Sequence, residues 1–473
     1  MHTMNDQKRI LRYLIGDCLS SALAWLAFNV FRFYTFRHTI RFSGLDEFLT
    51  TEKALWMSVL IPVFWGVMYY FSGYYALPRR KTVLGDILNT TCCTVVGVLL
   101  LFFLIVINDY PEYPSLYYRI IVGFVGLHLG ITLLVRLAQT IPLLLRQAKG
   151  KDNVPVLIIG TGERARQIRS AFNAFHSNFY YRLEGFVRVG PWKEGVPESE
   201  VVSSLEALGD WLKTGRVEEL IVALDEGHPE KTRAILEALY PLRLPVKAYV
   251  SRQDMLAGKV SLFSLFGIPL VPLTPLPMPV WQTNVKRFLD RLIALIFLLL
   301  CSPVYAYLAM RVRLDSPGPV FYSQKRVGKS GRLFRMYKFR TMYAESEPDG
   351  PMLSAVGDPR VTPYGRFMRK YRLDELPQFW NVLKGDMALV GPRPERAHFV
   401  RQIVARAPQY YLVQQVLPGI TSWGMVKYGY ANSVDKMIRR LEYDLIYLEN
   451  QSLLLDLKIL LSTVKPLLWG KGQ

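Results

Sequence analysis

The run KRFLDRLIALIFLLLCSPVYAYLAMRVR, Lys286 to Arg313, decides how this chain meets a membrane. From Leu292 to Met310 it carries no charge over 19 residues, which at 1.5 Å rise per residue is roughly 28 Å of helix, marginally enough to cross a bilayer. Length leaves the question open. Lys286, Arg287 and Arg291 precede the run and Arg311, Arg313, Lys325 and Arg326 follow it, so both ends carry a cytoplasmic signature that a true span shows on one side only. Ser302-Pro303 sits near the middle, where proline removes an intrahelical hydrogen bond and the serine hydroxyl can satisfy the freed carbonyl. The pattern predicts a re-entrant helix-break-helix over about residues 288–312 that enters and leaves by the cytoplasmic face. The competing reading, a kinked fifth span, puts the domains before and after it on opposite sides.

Toward the N-terminus, four further apolar segments, Ile10–Phe31, Ala54–Leu77, Val83–Ile107 and Leu116–Leu145, each approach the roughly 20 residues a bilayer span needs. Lys8, Arg9 and Arg12 precede the first, Arg79, Arg80 and Lys81 separate the second and third, and Arg146, Lys149 and Lys151 follow the fourth. The third and fourth are joined by the acidic NDYPEYPS. Positive charge inside then places both ends of this four-helix bundle in the cytoplasm, with Arg32, Arg37 and Arg41 as the exception. The N-terminus has no small-residue cleavage site and reads as an uncleaved anchor. Arg12, Asp17, Asp86 and Arg136, within or near the spans, read as buried pairs or snorkelling groups before a transport path. Cys18, Cys92, Cys93 and Cys301 all lie in apolar runs, which argues against a disulfide or zinc framework.

Residues 151–266 alternate differently. VPVLIIG, LEGFVRV, EELIVAL and LPVKAYV read as strands and ERARQIRSAF as a helix, the pattern of a parallel α/β module. Gly160, Gly162 and Ala165 form a G-x-G-x-x-A turn after the first strand, a candidate nucleotide site at a helix N-terminus. The second strand ends in Arg188 with no acid placed to hold a ribose, so a Rossmann-like fold kept for structure, with a vestigial site, competes with cofactor binding. The proline-rich GIPLVPLTPLPMPVW opens a connector, residues 267–285, and excludes a regular helix or a central strand there.

The net charge of +20 is mostly C-terminal: 14 cations face 8 anions in residues 1–150, 15 face 15 in 151–285, and 29 face 15 in 286–473. FYSQKRVGKSGRLFRMYKFRTM holds Lys325, Arg326, Lys329, Arg332, Arg335, Lys338 and Arg340 without an acid, and its glycines suggest a hairpin or loop. Directly after a membrane element such a run suits lipid or substrate phosphate rather than nucleic acid. In this setting YRLDELPQFWNVLKG has two readings. Asp374 is a helix N-cap with Glu375 complementing the dipole and Gly385 ending the helix, or the pair is chemical. A carboxylate among so many cations stays ionised, as a nucleophile or metal ligand requires, and oxygen ligands without a histidine cluster suit Mg²⁺ better than zinc.

KRFLDRLIA, SPVYAYLAMRVRLDSPGPVFYSQKRVGKSGRLFRMYKFRTM, RLDELPQFWNVLKGDMALVGPRPE and LPGITSW together resemble the bacterial sugar transferase family, the monotopic phosphoglycosyl transferases, over about residues 280–473. The bundle plus the α/β module resembles the large subclass of that family. The resemblance implies transfer of a hexose-1-phosphate from a UDP-sugar to undecaprenyl phosphate, giving a lipid-diphosphate-sugar and UMP, the first membrane step of surface polysaccharide assembly. It implies Asp374 as nucleophile through a phosphosugar-aspartyl intermediate and Glu375 helping to hold Mg²⁺. It also implies Lys338, Arg340 and Arg369 at substrate phosphate, Arg393, Pro394 and Glu395 in the nucleotide loop, and Ser302-Pro303 as the membrane break. The setting is the cytoplasmic face of a bacterial inner membrane, and the extra module points to a homodimer. Where relatives continue PGITGWAQVNGR this chain reads PGITSWGMVKYGY, which leaves Lys427 or Tyr428 to touch the donor or to pack. The apolar tail after Met437 either lies on the membrane surface or packs on the domain.

The expected architecture is thus an N-terminal four-helix transmembrane bundle (1–150), a central Rossmann-like α/β module (151–266), a linker (267–285) and a mainly α catalytic domain with a re-entrant membrane helix (286–473). Two rivals remain. A membrane-bound nucleotide-sugar dehydratase or epimerase would want Y-x-x-x-K, yet none of the 27 tyrosines is followed by lysine four positions on. A non-catalytic scaffold would not need Asp374, Glu375, Arg369 and Arg393 intact.

Overall fold

A computed structural model describes residues 4–35, 43–76, 81–104, 114–174, 181–190, 195–214, 217–225, 229–249, 263–265, 268–275, 277–343, 352–353 and 357–468. Arg37, Arg41, Arg79, Arg80, Gly267 and the acidic connection at 108–113 lie outside them.

Each N-terminal apolar segment folds as one helix: α1 (Met4–Thr35), α2 (Glu52–Phe71), α3 (Val83–Leu104) and α4 (Pro114–Ala148). All four are long and apolar enough to cross a bilayer, the make-up of a membrane protein. Their shared core is aromatic. Trp25, Phe28, Trp65 and Phe124 interlock, with Phe28 stacked on Phe124 at 4.3 Å. Beside this core lies a fully enclosed polar cluster. Arg136 grips both oxygens of Asp17 at 2.8 and 2.9 Å, donates to Thr90 at 2.7 Å, and its guanidinium carbon lies 3.9 and 3.6 Å from the rings of Tyr69 and Tyr74. Asp86 accepts from Thr140 at 2.5 Å and faces Lys81 at 3.8 Å. In hydrocarbon an unpaired ion is costly, and here each acid meets a base, the buried pairing that the spacing suggested. Arg12 instead is exposed.

The second compact unit carries the sheet and the C-terminal part together. Strands β1 (Val154–Ile159), β2 (Tyr181–Arg188), β3 (Val201–Ser204), β4 (Glu219–Val222), β5 (Val246–Tyr249), β6 (Phe263–Leu265) and β7 (Ile268–Pro272) order as β3-β2-β1-β4-β5-β7-β6. The pairs β2–β3, β1–β4 and β4–β5 are parallel, and β7 runs antiparallel to β5 and β6. The first five follow the doubly wound order 3-2-1-4-5 of a Rossmann-like sheet, with α5 (Glu163–Ala174) after β1 and α6 (Pro229–Leu239) after β4. Two expectations need correction. EELIVAL is the fourth strand and not the third, because the half-buried edge segment VVSS has no alternation to mark it. The proline-rich stretch is also not all connector. Pro269 and Pro272 fall at the second and last positions of β7, leaving Leu270 and Val271 to pair with Tyr249 and Ala248 inside the sheet.

Beyond it, α7 (Val280–Leu300) and α8 (Ser302–Asp315) are bent by 65° at Cys301. Pro303 sits in the first turn of α8, where its missing donor costs nothing, and Ser302 Oγ donates to the Leu299 carbonyl at 2.8 Å. One side of the bent pair is apolar and open, including Leu292, Ile296, Leu299, Leu300, Tyr307 and Met310. The basic run folds as the expected hairpin, β8 (Phe321–Val327) with β9 (Leu333–Phe339), turning through Ser330 and Gly331 at positive φ.

Replacing Asp17 by alanine strands the Arg136 guanidinium. We expect a loss of about 3–5 kcal/mol, read as a lowered melting temperature in detergent, and a substantial recovery in Asp17→Leu/Arg136→Leu.

Candidate active site

Helix α9 (Pro363–Lys370) starts at Thr362, whose hydroxyl accepts from Gly365 N at 3.0 Å, and runs out at Tyr371. Arg372 then takes a left-handed conformation, φ 53°, that a side chain rarely adopts and that costs of order 1–2 kcal/mol. The reversal feeds a single 3₁₀ turn, Leu373–Glu375, before α10 (Gln378–Lys384). Asp374 is therefore not the N-cap of α10. Pro377 occupies that position without a side-chain cap, since Leu376 and Pro377 continue the helical turn past the pair. Gly385, φ 91°, does end the helix.

Two side chains fix this turn from outside. Asn381 accepts from Tyr337 N at 3.0 Å and donates to the Arg335 carbonyl at 2.7 Å, clamping α10 along β9. Tyr305 of α8 donates to the Leu376 carbonyl at 2.6 Å, while Phe297 of α7 stacks on Phe379 at 4.1 Å. Neither Asn381 nor Tyr305 stood out in the sequence. A lone amide within FWNVL was the available hint.

Asp374 and Glu375 are 7 % and 8 % exposed. Lys338 Nζ lies 2.7 Å from Glu375 Oε1 and 3.5 Å from Asp374 Oδ2. Arg393 Nη2 lies 3.1 Å from the same Glu375 oxygen, and Arg372 is 3.9 Å from the other. The pair is electrically unequal. Burial works against ionising Glu375, but Lys338, Arg393 and Arg372 overcome it and hold the carboxyl well below the usual range. For Asp374 burial wins, with the Glu375 charge adding to it, so its pKa is raised despite Lys338 and Arg369. At Asp374 dehydration outweighs the cations that the sequence brought into view. Asp374 makes no hydrogen bond among the described residues, which leaves its oxygens open to a reactant.

The other singled-out residues divide. Arg369 reaches Thr341 Oγ1 at 2.9 Å and acts electrostatically on Asp374. Arg340, 8 % exposed, donates to the carbonyls of Ser316 and Pro317 at 2.5 and 2.7 Å and so ties down the end of α8. Glu395 is held by Arg440 at 2.6 Å and Arg326 at 3.3 Å, and the Pro394 carbonyl also accepts from Arg326. Those two residues shape the loop that presents Arg393. Lys427 lies 4.8 Å from the centre of the Trp423 ring.

At the glycine turn of the α/β module, Asp225 caps α5 by accepting from Arg164 N at 3.0 Å. Its carboxylate fills the space beside Gly162, and Gly160, φ 126°, lets the ends of β1 and β4 approach. Ala165 is fully buried beneath them.

Residues 281–470 match the family model for bacterial sugar transferases. An Aeromonas hydrophila UDP-N-acetylgalactosamine-undecaprenyl-phosphate N-acetylgalactosaminephosphotransferase is 43% identical over 229 residues, 48% of this chain and 53% of that protein. An Escherichia coli UDP-glucose:undecaprenyl-phosphate glucose-1-phosphate transferase is 33% identical over 287 residues, 59% of this chain and 61% of that one. A Caulobacter vibrioides UDP-glucose:undecaprenyl-phosphate glucose-1-phosphate transferase is 40% identical over 205 residues, 42% of this chain and 76% of its own length. The chain thus spans between about half and three quarters of these relatives. The buried carboxylate pair, ringed by cations, thus lies against the bent apolar helix pair. The chain belongs to the bacterial sugar transferase family.

Asp444 of helix α12 (Val434–Glu449) accepts from Gly424 N of helix α11 (Trp423–Lys427) at 3.1 Å, and burial pushes its pKa up to about 6 from 3.8. The folded state keeps this proton where the unfolded chain has lost it. The stability contribution is therefore fully present below about pH 4 and falls as pH rises to about 6, by on the order of 3 kcal/mol. Thermal melts of Asp444→Asn across that window should lack this fall.

Proposed function

We propose that the protein transfers a hexose-1-phosphate from a UDP-sugar to undecaprenyl phosphate, releasing UMP, at the cytoplasmic face of a bacterial inner membrane. The observation that carries this reading is the unequal pair: Glu375 is pinned by Lys338 and Arg393 while Asp374 beside it lacks a hydrogen bond. An Asp374 oxygen attacks the sugar-bearing phosphorus, and the phosphoanhydride bond to UMP breaks. An oxygen of the lipid phosphate then attacks the same phosphorus, the acyl-phosphate bond breaks, and the carboxylate is regenerated. Burial raises the basicity of Asp374, which strengthens it as a nucleophile, and the cations neutralise the phosphoryl oxygens. The names of the relatives support donor and acceptor alike, and they differ in sugar, so the hexose is found by trial.

Two adjacent carboxylates with oxygen donors only, lacking a third acidic, histidine or cysteine partner among the described residues, fit Mg²⁺, which commonly takes one or two carboxylates plus substrate phosphates. Asp374 and Glu375 would hold it, and it would supply further charge neutralisation at phosphorus.

The bent pair α7–α8 serves as the re-entrant anchor in this proposal. Lys286, near the start of α7, lies 2.6 Å from Asp456 and donates to the Val390 carbonyl, so the domain that follows α8 packs on the residues that precede the apolar run. A fifth span would separate them by a bilayer.

Incubating purified protein with undecaprenyl phosphate, Mg²⁺ and a panel of UDP-sugars tests the reaction. One donor should yield UMP, and Asp374→Asn should lower the rate by about 10³-fold or more. UMP from no donor, or full activity in the Asn variant, would return the scaffold reading. The nucleophile works ionised, so the acid limb of the pH–rate profile belongs to Asp374; Lys338→Met, by removing a cation that lowers this pKa, should move that limb to higher pH and slow transfer. With Cys18, Cys92, Cys93 and Cys301 replaced, cysteines at Arg287 and Lys329 should both label from the cytoplasmic side alone.

A further inference from the structure

We propose that a groove between the short helix Trp423–Lys427 and α13 (Leu453–Leu468) holds the phosphate head and proximal chain of the lipid acceptor, with Lys427 and Lys458 on its phosphate. The assignment deepens the transferase reading and rests on it. The groove has a volume of about 740 Å³ and is lined by Val426, Leu454, Leu457 and Leu461 together with the two lysines.

Helix α13 has two apolar faces. Leu455, Ile459 and Leu460 pack into the domain core, and Thr463 Oγ1 lies 2.9 Å from Thr421 Oγ1 of β11 (Gly419–Thr421), so the helix is seated and not adrift. Leu454, Leu457 and Leu461 recur at the spacing of a single helix face and remain 77 %, 52 % and 65 % exposed. Exposed leucines alone name no occupant; the charges do. Lys427 Nζ and Lys458 Nζ lie 4.8 and 5.8 Å from the centre of the same Trp423 ring, and neither has a carboxylate partner among the described residues. Two ammoniums beside one indole present positive charge to an anion in the groove. One phosphate at the lysines with an apolar chain along the leucines satisfies both features, whereas an acidic peptide would leave the leucine face wet. The placement also suits the chemistry. Met425, in the same short helix, touches Arg393 at 3.4 Å, and Arg393 is the guanidinium that holds Glu375.

The test uses full-length protein in nanodiscs and separates the two halves of the reaction. Without acceptor, the UDP-sugar should give a UMP burst in wild type; no burst overturns the transferase reading and this assignment with it. With the burst present, Lys427→Gln/Lys458→Gln should retain it but raise the KM for undecaprenyl phosphate about tenfold or more, with kcat changed less than about threefold. Leu457→Asp should raise the same KM, and Lys427→Arg/Lys458→Arg should restore it. An acceptor KM within twofold of wild type in the Gln double variant overturns the assignment. So does a defect that follows the phosphatidylglycerol content of the nanodisc and not acceptor concentration, which would make the groove a contact for bulk headgroups.

Discussion

Lys338 Nζ, 2.7 Å from Glu375 and 3.5 Å from Asp374, is the contact on which the rest of the site depends. Two neighbouring carboxylates withdrawn from water lose several kcal/mol of hydration each, and a fold can keep them only by bringing cations into the same dry space. The surrounding architecture does that. The β8–β9 hairpin delivers Lys338, the left-handed turn at Arg372 aims both acids at it, and the loop tied down by Arg326, Glu395 and Arg440 delivers Arg393. Because the shared cations sit closer to Glu375, the two acids cannot be equivalent.

Membrane and site are joined through the same few side chains. Tyr305 and Phe297 come from the bent apolar pair and meet the backbone and ring that flank the acids. The limbs of the bent pair thus also wall the acid pair. A change in the bend at Cys301 would be felt at Leu376 directly, through one hydrogen bond.

Much of the fold was legible because its signals are local. Apolar run length located α1 to α4, short apolar runs located β1, β2, β4 and β5, and Ser302-Pro303 sits beside the bend. What the sequence could not sort was the role of similar charges. Arg326, Lys338 and Arg340 stand within fifteen residues, yet one meets Glu395, one meets the acid pair and one meets backbone carbonyls, according to partners distant in the chain. Asp225 illustrates the same limit. Nothing near it in sequence announces that it caps the glycine turn some sixty residues earlier. The acid pair was recognised as chemically loaded, but its inequality depends on burial, which one string of letters does not contain.

The bend at Cys301 also sets a depth. From Leu292 to Cys301 the first limb is about 15 Å long, half the thickness of a hydrocarbon core. In the proposed reading an anchor of that reach samples a single leaflet, so the enzyme would draw its polyprenyl substrate from the sheet of lipid on its own side and return the glycosylated product there. The sugar would then still have to be carried across the bilayer by a flippase acting downstream.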